Sequence, residues 1–362
     1  MESSKNSLEL VLKNKLDPEK PIYISGNFNK WKAGDPEYQM HSTGDGAYHF
    51  AFPNYDHLPN MIEYKYTRGS WSTVEIAPNG KGVPNRVVEK HKGVLNDRVD
   101  NWMGRAFPYK NDLLPKIEVI SEQFEMPQLI RTRRIAALLP HDYYDSNKRY
   151  PVLYLQDGQN LFDEYAPFGN WAVDKQLAKL SEINKGDVIV VAIDHAEENR
   201  IKEFNPTSHT HLGSGQGKKY TRFLTDTLKP YIDSHFRTLP DRANTAIGGS
   251  SMGGLISIYA GLMYPNVYSK LMVFSPSLWV APNIHFHSMN LLREYDMKIY
   301  LYAGGSESLN MVPNINRFRS ALENQGSKVN VSFELNIDPN GTHNEARWGE
   351  EFPAAVTWLF DF

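Results

Sequence analysis

The segment from residue 248 to residue 254 reads Gly-Gly-Ser-Ser-Met-Gly-Gly and constrains the fold more than any other part of the chain. Ser251 lies at its centre, with one glycine two positions before it and another two positions after it. This pattern is typical of a sharp turn from a strand into a helix, because glycine has no Cβ to block the close approach of the two elements. Such a turn strains the serine backbone and exposes its hydroxyl at the end of the strand.

The residues on either side supply the strand and the helix that this turn needs. Residues 244–247 read Asn-Thr-Ala-Ile, a short strand, and Pro265 stops the segment after the turn. Between them, apolar residues recur at helical spacing, at Leu255, Ile258, Tyr259, Leu262 and Met263. A glycine-rich turn before an ordinary buried helix is the alternative interpretation, and the context favours the strand–turn–helix elbow.

The pattern of the chain changes near residue 100, which predicts two domains. A length of 362 residues also fits about two domains. Residues 1–100 hold short β-rich runs between turn signals, such as the alternating run 61–67, and predict a small all-β sandwich. Residues 101–115 are irregular and contain Pro108 and Pro115, so we expect a linker there.

Residues 116–362 alternate between strand and helix patterns. The run 188–193, Val-Ile-Val-Val-Ala-Ile, is continuously apolar, as expected for a strand that is buried on both faces of a parallel sheet. The alternation predicts an α/β domain with a doubly wound, mostly parallel sheet. In that architecture the functional site lies at the carboxyl ends of the strands.

Charge and composition narrow the partners and the location. The formal net charge of -3 shows no basic footprint, so we expect no nucleic-acid partner. The chain has no cysteine, which excludes disulfides and cysteine-based metal sites. No apolar run has the length of a membrane span, and the N-terminal segment 1–7 has no apolar signal core, so we expect no membrane partner and a cytoplasmic protein. The location would be periplasmic or extracellular if a signal peptide had been removed.

A serine hydroxyl is a weak nucleophile until a base removes its proton and an acid orients that base. In doubly wound hydrolases the chain order is serine, then acid, then histidine. His343 lies in a short loop, Gly-Thr-His-Asn-Glu, between the strand pattern 329–335 and the last helical pattern, and is the predicted base. His285 and His287 follow the strand pattern 270–274 and are expected at the surface or in a pocket wall.

The predicted acid is Glu307. It follows the strand pattern 298–303 on a glycine-rich loop, from which a carboxylate can turn back toward the histidine. Asp338 and Asp296 are the rival carboxylates, and an ordinary solvated Glu307 is the alternative.

Two backbone N–H groups are expected to hold the oxyanion that forms during acyl transfer. The residue after the nucleophile, Met252, supplies one of them. The loop 156–160 after the strand pattern 150–155 supplies the other, and Gln159 is the predicted donor.

No metal and no cofactor are expected. His209 and His211 are two positions apart but lack the third ligand that a zinc site needs. The glycines at 213, 215 and 217 have the wrong spacing for a dinucleotide fingerprint, and no strand precedes them.

Four segments together resemble the Putative esterase family of the α/β-hydrolase superfamily. They are residues 150–162, 170–174, 249–254 and 341–343, and the resemblance covers about residues 117–360. The family includes esterase D-type enzymes, enterochelin (ferric siderophore) esterases, feruloyl and acetyl xylan esterases, and mycolyltransferases.

This resemblance implies an α/β-hydrolase domain with Ser251, Glu307 and His343 as the triad. It also supports Gln159 and Met252 as oxyanion donors. Three further residues are its candidates for substrate binding: Trp171 and Trp279, which match positions that often wall the acyl or aromatic pocket, and Asp157.

Residues 25–31 and 64–71 resemble immunoglobulin-like starch- and glycogen-binding modules. Such modules stack sugar rings on exposed aromatic side chains, which makes Trp31 and Trp71 the candidates for polysaccharide binding. Two alternatives stay open: each Trp plugs the domain core, or the domain only packs over the active site.

The sequence therefore predicts a serine carboxylic-ester hydrolase that works through an acyl-enzyme. The expected substrates are feruloyl or acetyl esters of carbohydrates or related aromatic esters. One alternative is a siderophore lactone esterase of the enterochelin type. Another is a non-catalytic carbohydrate-binding protein on a hydrolase scaffold, against which the order of Ser251, Glu307 and His343 argues.

Overall fold

The structure is a computed structural model. It describes residues 7–14, 16, 20–44, 46–76, 82–91, 93–103, 109–163, 166, 169–207, 214–290, 295–324 and 330–362. The chain divides into two compact units, Met1–Asn111 and Asp112–Phe362. The division falls within residues 101–115, of which residues 104–108 lie outside the described part.

The first unit is built from short strands, as its sequence pattern predicts. The strand at 61–67 coincides with the predicted run, and Leu8, Leu10 and Leu12 are all fully buried, which is the two-residue period of a strand with one face in a core. Its strands are β1 Leu8–Lys13, β2 Tyr23–Gly26, β3 His41–Gly44, β4 Ala47–Ala51, β5 Met61–Thr67, β6 Glu75–Ile76, β7 Arg86–Glu89, β8 Gly93–Arg98 and β9 Asn101–Trp102.

These strands form three sheets, in the orders β3-β4-β1-β8, β2-β5-β7 and β6-β9. The pair β1–β8 is parallel, and the other paired strands are antiparallel. The immunoglobulin-like assignment of this unit stays a prediction.

The second unit contains one eight-stranded sheet in the order β10-β11-β13-β12-β14-β15-β16-β17. The pairs β10–β11 and β11–β13 are antiparallel, and every later pair is parallel. The strands are β10 Lys116–Met126, β11 Arg131–Leu139, β12 Val152–Gln156, β13 Ile189–Ile193, β14 Thr245–Ser250, β15 Lys270–Phe274, β16 Asp296–Gly304 and β17 Asn330–Asp338.

Helices cover both faces of this sheet, and two hydrophobic clusters lie on its opposite sides. The helices are α1 Gln159–Phe162, α2 Val173–Glu182, α3 Arg200–Phe204, α4 Gly217–Phe223, α5 Lys229–His235, α6 Met252–Met263, α7 Met311–Glu323 and α8 Glu345–Phe360. A π-helical segment, Leu224–Leu228, joins α4 to α5. The α/β fold with a mostly parallel sheet is therefore confirmed.

The order of strands brings the predicted site residues to one edge of the sheet. β12 and β15 flank β14, and β16 lies beyond β15, so the loops after these strands meet at the carboxyl ends of the parallel strands. Every residue of β12, β13 and β14 is buried, which fits their continuous apolar or small-residue sequences. In the described part of the chain, no helix combines the length and the apolar character that crossing a membrane requires.

Candidate active site

The turn at Ser251 has the conformation that its sequence predicts. β14 ends at Ser250, α6 begins at Met252, and Ser251 between them has φ 54° and ψ −120°. This positive φ is unfavourable for a residue with a Cβ. The neighbouring glycine is required by a close contact, because a Cβ on Gly253 would lie 2.9 Å from Asp157 Oδ2.

The structure joins the predicted acid to the predicted base. His343 Nδ1 lies 2.7 Å from Glu307 Oε2, and the Glu307 side chain is 2% exposed whereas that of His343 is 40% exposed. The other carboxylate oxygen, Oε1, accepts a hydrogen bond from Gly304 N–H at 2.8 Å. The acid is thus fixed and buried, and the imidazole that it orients reaches the surface.

The rival carboxylates occupy other positions. Asp338 accepts from Arg347 Nε at 2.7 Å, and this hydrogen bond lowers the pKa of Asp338. Asp296 is the first residue of β16, at the opposite end of the strand from Gly304, and accepts a hydrogen bond from Asn330. The geometry favours Glu307 over both.

Ser251 and His343 line one cavity of about 930 Å³. The serine Oγ lies 3.2 Å from the Oγ of Ser277, which belongs to the loop after β15. Four carboxylates also line this cavity, those of Asp157, Glu197, Glu198 and Glu345. Among the described lining residues, Arg200 is the one that carries a guanidinium or ammonium group.

The two predicted oxyanion donors begin helices beside this cavity. Gln159 is the first residue of α1 and Met252 the first of α6. N–H groups in the first turn of a helix have no intrahelical acceptor, so they are available to an anion. The Gln159 side chain is held in place by His195, whose backbone C=O accepts from Nε2 at 3.1 Å and whose N–H donates to Oε1 at 2.8 Å.

Asp157 supports the loop that carries Gln159. It has φ 60° and is 4% exposed, and Arg200 binds both of its carboxylate oxygens, Nε to Oδ1 at 2.6 Å and Nη2 to Oδ2 at 2.8 Å. Asp157 does line the cavity, as expected for a substrate contact, but its carboxylate is already engaged by this bidentate ion pair.

The two tryptophans expected to wall the pocket lie in very different environments. Trp171 is 2% exposed, stacks on Phe274 with ring centroids 5.3 Å apart and is not among the residues that line the cavity, so its contact with substrate stays a prediction. Trp279 is 56% exposed and is not one of the residues that line the cavity. It follows Ser277 by two residues, so it stays a candidate for the outer rim.

The sequence does not reveal several residues that the structure brings to the site. Ser275 Oγ donates to Glu307 Oε1 at 2.6 Å and accepts from Trp348 Nε1 at 3.0 Å. The Trp348 ring also meets the His343 ring edge-on, with centroids 4.8 Å apart. The only sequence signal is for Trp348, which lies five residues after His343 and so falls in the first turns of the last helix.

Glu345 also lines the cavity, and the sequence pattern does not reveal it. It is half-buried at the start of α8, two residues after His343, and burial raises its pKa, to which the charge of Asp157 adds. Asn160, which is 7% exposed, places its Nδ2 at 3.5 Å from Glu345 Oε1.

The candidate sugar-binding tryptophans lie side by side in the first unit. Trp31 is half-buried with φ 58°, Trp71 is 43% exposed, and their ring centroids are 6.1 Å apart. Their loops touch closely, since a Cβ on Gly34 would lie 2.5 Å from Gly69 O. Neither tryptophan is fully buried, unlike Trp102, which is 1% exposed.

Of the remaining candidate histidines, the structure describes His285 and His287. His287 meets the Tyr259 ring edge-on at 5.0 Å, and burial lowers its pKa. His209 and His211 lie outside the described residues, as does Gly213. Within the described residues no group of three or more His, Cys, Asp or Glu side chains is placed to hold a metal ion.

Comparison with known proteins assigns this chain to a family. The model of the family described as Putative esterase matches residues 127–359. The Bacillus subtilis protein YbbA is 25% identical over 244 residues, which cover 63% of this chain and 92% of YbbA.

Two solved structures share the fold. The enterobactin esterase FES from Shigella flexneri has a TM-score of 0.53 at 15% identity and covers 94% of this chain and 88% of its own. The ferulic acid esterase AmCE1/Fae1A from Anaeromyces mucronatus, in complex with ferulic acid, has a TM-score of 0.50 at 18% identity. That alignment covers 68% of this chain and 91% of the esterase chain.

Proposed function

Because the chain belongs to the Putative esterase family and is a carboxylic ester hydrolase, we propose that it works through a triad of Ser251, His343 and Glu307. The observation that carries this proposal is the 2.7 Å contact between His343 Nδ1 and the buried Glu307 carboxylate, beside the cavity that Ser251 lines. A histidine whose Nδ1–H is bound by a carboxylate presents Nε2 as the base.

The proposed reaction has two halves. His343 Nε2 takes the Ser251 proton as Oγ attacks the ester carbonyl carbon, and the N–H groups of Gln159 and Met252 hold the oxyanion. His343 then gives the proton to the departing alkoxide. Water attacks the acyl-enzyme by the same route, which releases the acid and restores Ser251.

For the substrate, we propose esters of carbohydrates or related hydroxylated compounds, including feruloyl and acetyl esters. The support is the lining of the cavity, where carboxylates and amides offer many hydrogen-bond acceptors to hydroxyl groups. The Trp31–Trp71 pair supports a saccharide partner for the first unit.

A siderophore lactone is the second candidate. One observation favours it: the enterobactin esterase FES covers 94% of this chain, so the likeness in fold extends over both units. The charge of the cavity opposes it, because a ferric catecholate complex is anionic and Glu197, Glu198 and Glu345, whose charges Arg200 does not pair, would repel it.

Replacement of the triad residues tests the mechanism. With 4-nitrophenyl acetate as substrate, Ser251→Ala and His343→Ala should each lower kcat by at least about a thousandfold, and the double variant should lose little more because the residues act as a unit. Glu307→Ala should lower kcat less than either of these replacements. Asp338→Asn, which alters the rival acid, is the control and should keep most of the activity.

Thermal unfolding of each variant should stay close to that of the parent protein. Hydrolysis that survives Ser251→Ala would overturn the triad. Parallel assays with methyl ferulate, an acetylated hexose and a catecholate trilactone would rank the two substrate classes.

A further inference from the structure

The cavity holds a carboxylate for which neither the fold nor the proposed catalytic steps account. Glu345 is half-buried, lines the same cavity as Ser251 and His343, and has no ion-pair partner among the described residues. The nearest guanidinium of the lining, that of Arg200, already binds both oxygens of Asp157. Burial raises the pKa of Glu345 even though its own backbone N–H donates to the carboxylate and the charges of His343 and Arg200 favour its ionised form. Further hydrogen-bond donors would therefore stabilise this partly desolvated carboxylate.

The backbone fixes Glu345 at this position. It is the first residue of α8, and the preceding residue, Asn344, caps the helix by accepting from Arg347 N–H at 3.0 Å. A Cβ on Gly169, which has φ 115°, would lie 3.2 Å from the Glu345 Cβ, so the chain passes close to this side chain. The helix and the neighbouring backbone therefore fix the backbone and the Cβ of Glu345 beside the cavity that Ser251 lines.

Asn160 supplies the second group of the site. Its backbone is locked, because its N–H donates to Asp157 O at 2.9 Å and its C=O accepts from Trp171 N–H at 2.8 Å. Its side chain is held much less firmly. Nδ2 lies 3.5 Å from Glu345 Oε1, at the limit of hydrogen-bond distance, and Oδ1 has no partner among the described residues.

His195 adds a donor to the same lining. Its Nδ1 accepts from Glu197 N–H at 2.8 Å, so the neutral ring carries its proton on Nε2. Burial lowers the pKa of His195 and keeps the ring neutral near pH 7. The cavity thus offers an anionic acceptor, an amide and a neutral donor, which together match a hydroxyl group that both donates and accepts.

We propose that Glu345 and Asn160, with His195, form a subsite that binds hydroxyl groups on the substrate of Ser251. The proposal rests on the proposed function and narrows it, since it selects esters that carry a polyol or sugar ring. Glu345 is the specificity-determining residue of this subsite.

A matched pair of esters tests the subsite. Glucose 6-acetate and cyclohexylmethyl acetate share the acetyl group and a six-membered ring, and only the sugar carries hydroxyls. The parent protein should prefer the sugar ester in kcat/KM by at least about tenfold, as expected from one or two hydrogen bonds to a charged group. Glu345→Gln should reduce this preference by about tenfold, mainly through KM, and Asn160→Leu should reduce it to a smaller extent.

Glu198→Gln is the matched control. It removes the same charge from the same cavity, but Glu198 is exposed, so the preference should change by less than about twofold. Equal losses on both esters in Glu345→Gln would mean that Glu345 supports the fold of the site, and would overturn the subsite. The subsite would also be overturned if the parent protein hydrolysed both esters with the same kcat/KM. A kcat/KM for acetylcholine above that for glucose 6-acetate would overturn it as well, because Glu345 would then be a cation site.

Binding without turnover separates this proposal from the triad. Calorimetry with glucose 6-acetate and the Ser251→Ala protein should detect a complex that Glu345→Gln weakens by about tenfold. No binding would overturn the subsite even if the triad were correct. Hydrolysis by Ser251→Ala would overturn the triad even if the sugar ester bound as expected.

Discussion

Ser275 connects two parts of the site that are far apart in the chain. Its hydroxyl bonds to the Glu307 carboxylate and to the Trp348 indole N–H, and the Trp348 ring packs edge-on against His343. These four residues form a closed ring of contacts. Ser275 is fully buried and has φ 45°, an unfavourable conformation that the surrounding strands maintain. The ring fixes the direction of the acid more firmly than the His343–Glu307 pair would alone.

Ser275→Ala should lower kcat by about tenfold to a hundredfold, because a hydrogen bond to a charged group is lost and the Trp348 N–H is left unsatisfied. The measurement is kcat with 4-nitrophenyl acetate, together with the melting temperature of the same variant. A reduced melting temperature with an unchanged kcat would show that Ser275 has only a structural role.

Helix α3 links the sheet to the loop that carries Gln159. Arg200, at its start, binds Asp157, and Glu203, near its end, is fully buried against β11. Arg133 Nη2 lies 2.9 and 3.0 Å from the two Glu203 oxygens, and Arg131 pairs with the same carboxylate. This buried ion network determines where α3 lies, and α3 in turn determines where Arg200 holds Asp157.

Glu203→Ala should lower the free energy of unfolding by about 3–5 kcal/mol, because it leaves two arginines without their buried partner. It should also lower kcat, since α3 would no longer hold Arg200 in place. Asp226→Asn is the control: its pair with Arg222 is exposed and should be worth less than about 1 kcal/mol. Urea denaturation, monitored by tryptophan fluorescence, gives the free energy of unfolding of both variants. Equal losses in Glu203→Ala and Asp226→Asn would contradict the stabilising role of the buried network.

The elements that the sequence predicts best are those whose patterns do not depend on distant contacts. The apolar run predicts the strand β13, and the glycines around Ser251 predict the turn there. Chain order, together with a position on a glycine-rich loop after a strand, selects Glu307 as the partner of His343. β10 is harder to predict from the sequence. Most of its residues are exposed or half-buried, and its pairing with β11 shifts register twice.

Side-chain direction and loop neighbours are what sequence patterns cannot supply. Trp171 follows a loop that does border the site, but its ring turns inward onto Phe274, which no spacing rule predicts. Ser275, Ser277 and Glu345 lie in segments of ordinary composition. Ser275 contacts Glu307, Ser277 contacts Ser251, and Glu345 lines the cavity, in a domain where β15 and α8 pack against each other.

At the scale of the whole molecule, the first unit offers its own aromatic surface. Trp31 and Trp71 have adjacent rings and are partly exposed, as sugar stacking requires, and the tight contact at Gly34 and Gly69 keeps their loops together. The Trp31 backbone adopts a positive φ that places this ring beside the other.

Trp71→Ala should weaken binding to soluble starch or glycogen by about fivefold, which corresponds to the loss of one stacked ring worth about 1 kcal/mol. Affinity electrophoresis in gels with and without polysaccharide measures the change. Tyr144→Ala removes an exposed aromatic from the second unit and should leave the retardation as it is. Migration of the parent protein that does not respond to either polysaccharide would remove sugar binding from the roles of this unit.

The carboxylate lining of the cavity also bears on how a reaction cycle ends. A typical ester enters as a neutral molecule, whereas hydrolysis turns its acyl part into an anion. Glu197, Glu198 and Glu345 exert no net force on a neutral ester, but they repel the carboxylate that hydrolysis produces. The alcohol fragment feels no such force. These carboxylates therefore favour departure of the acid product and hinder its return.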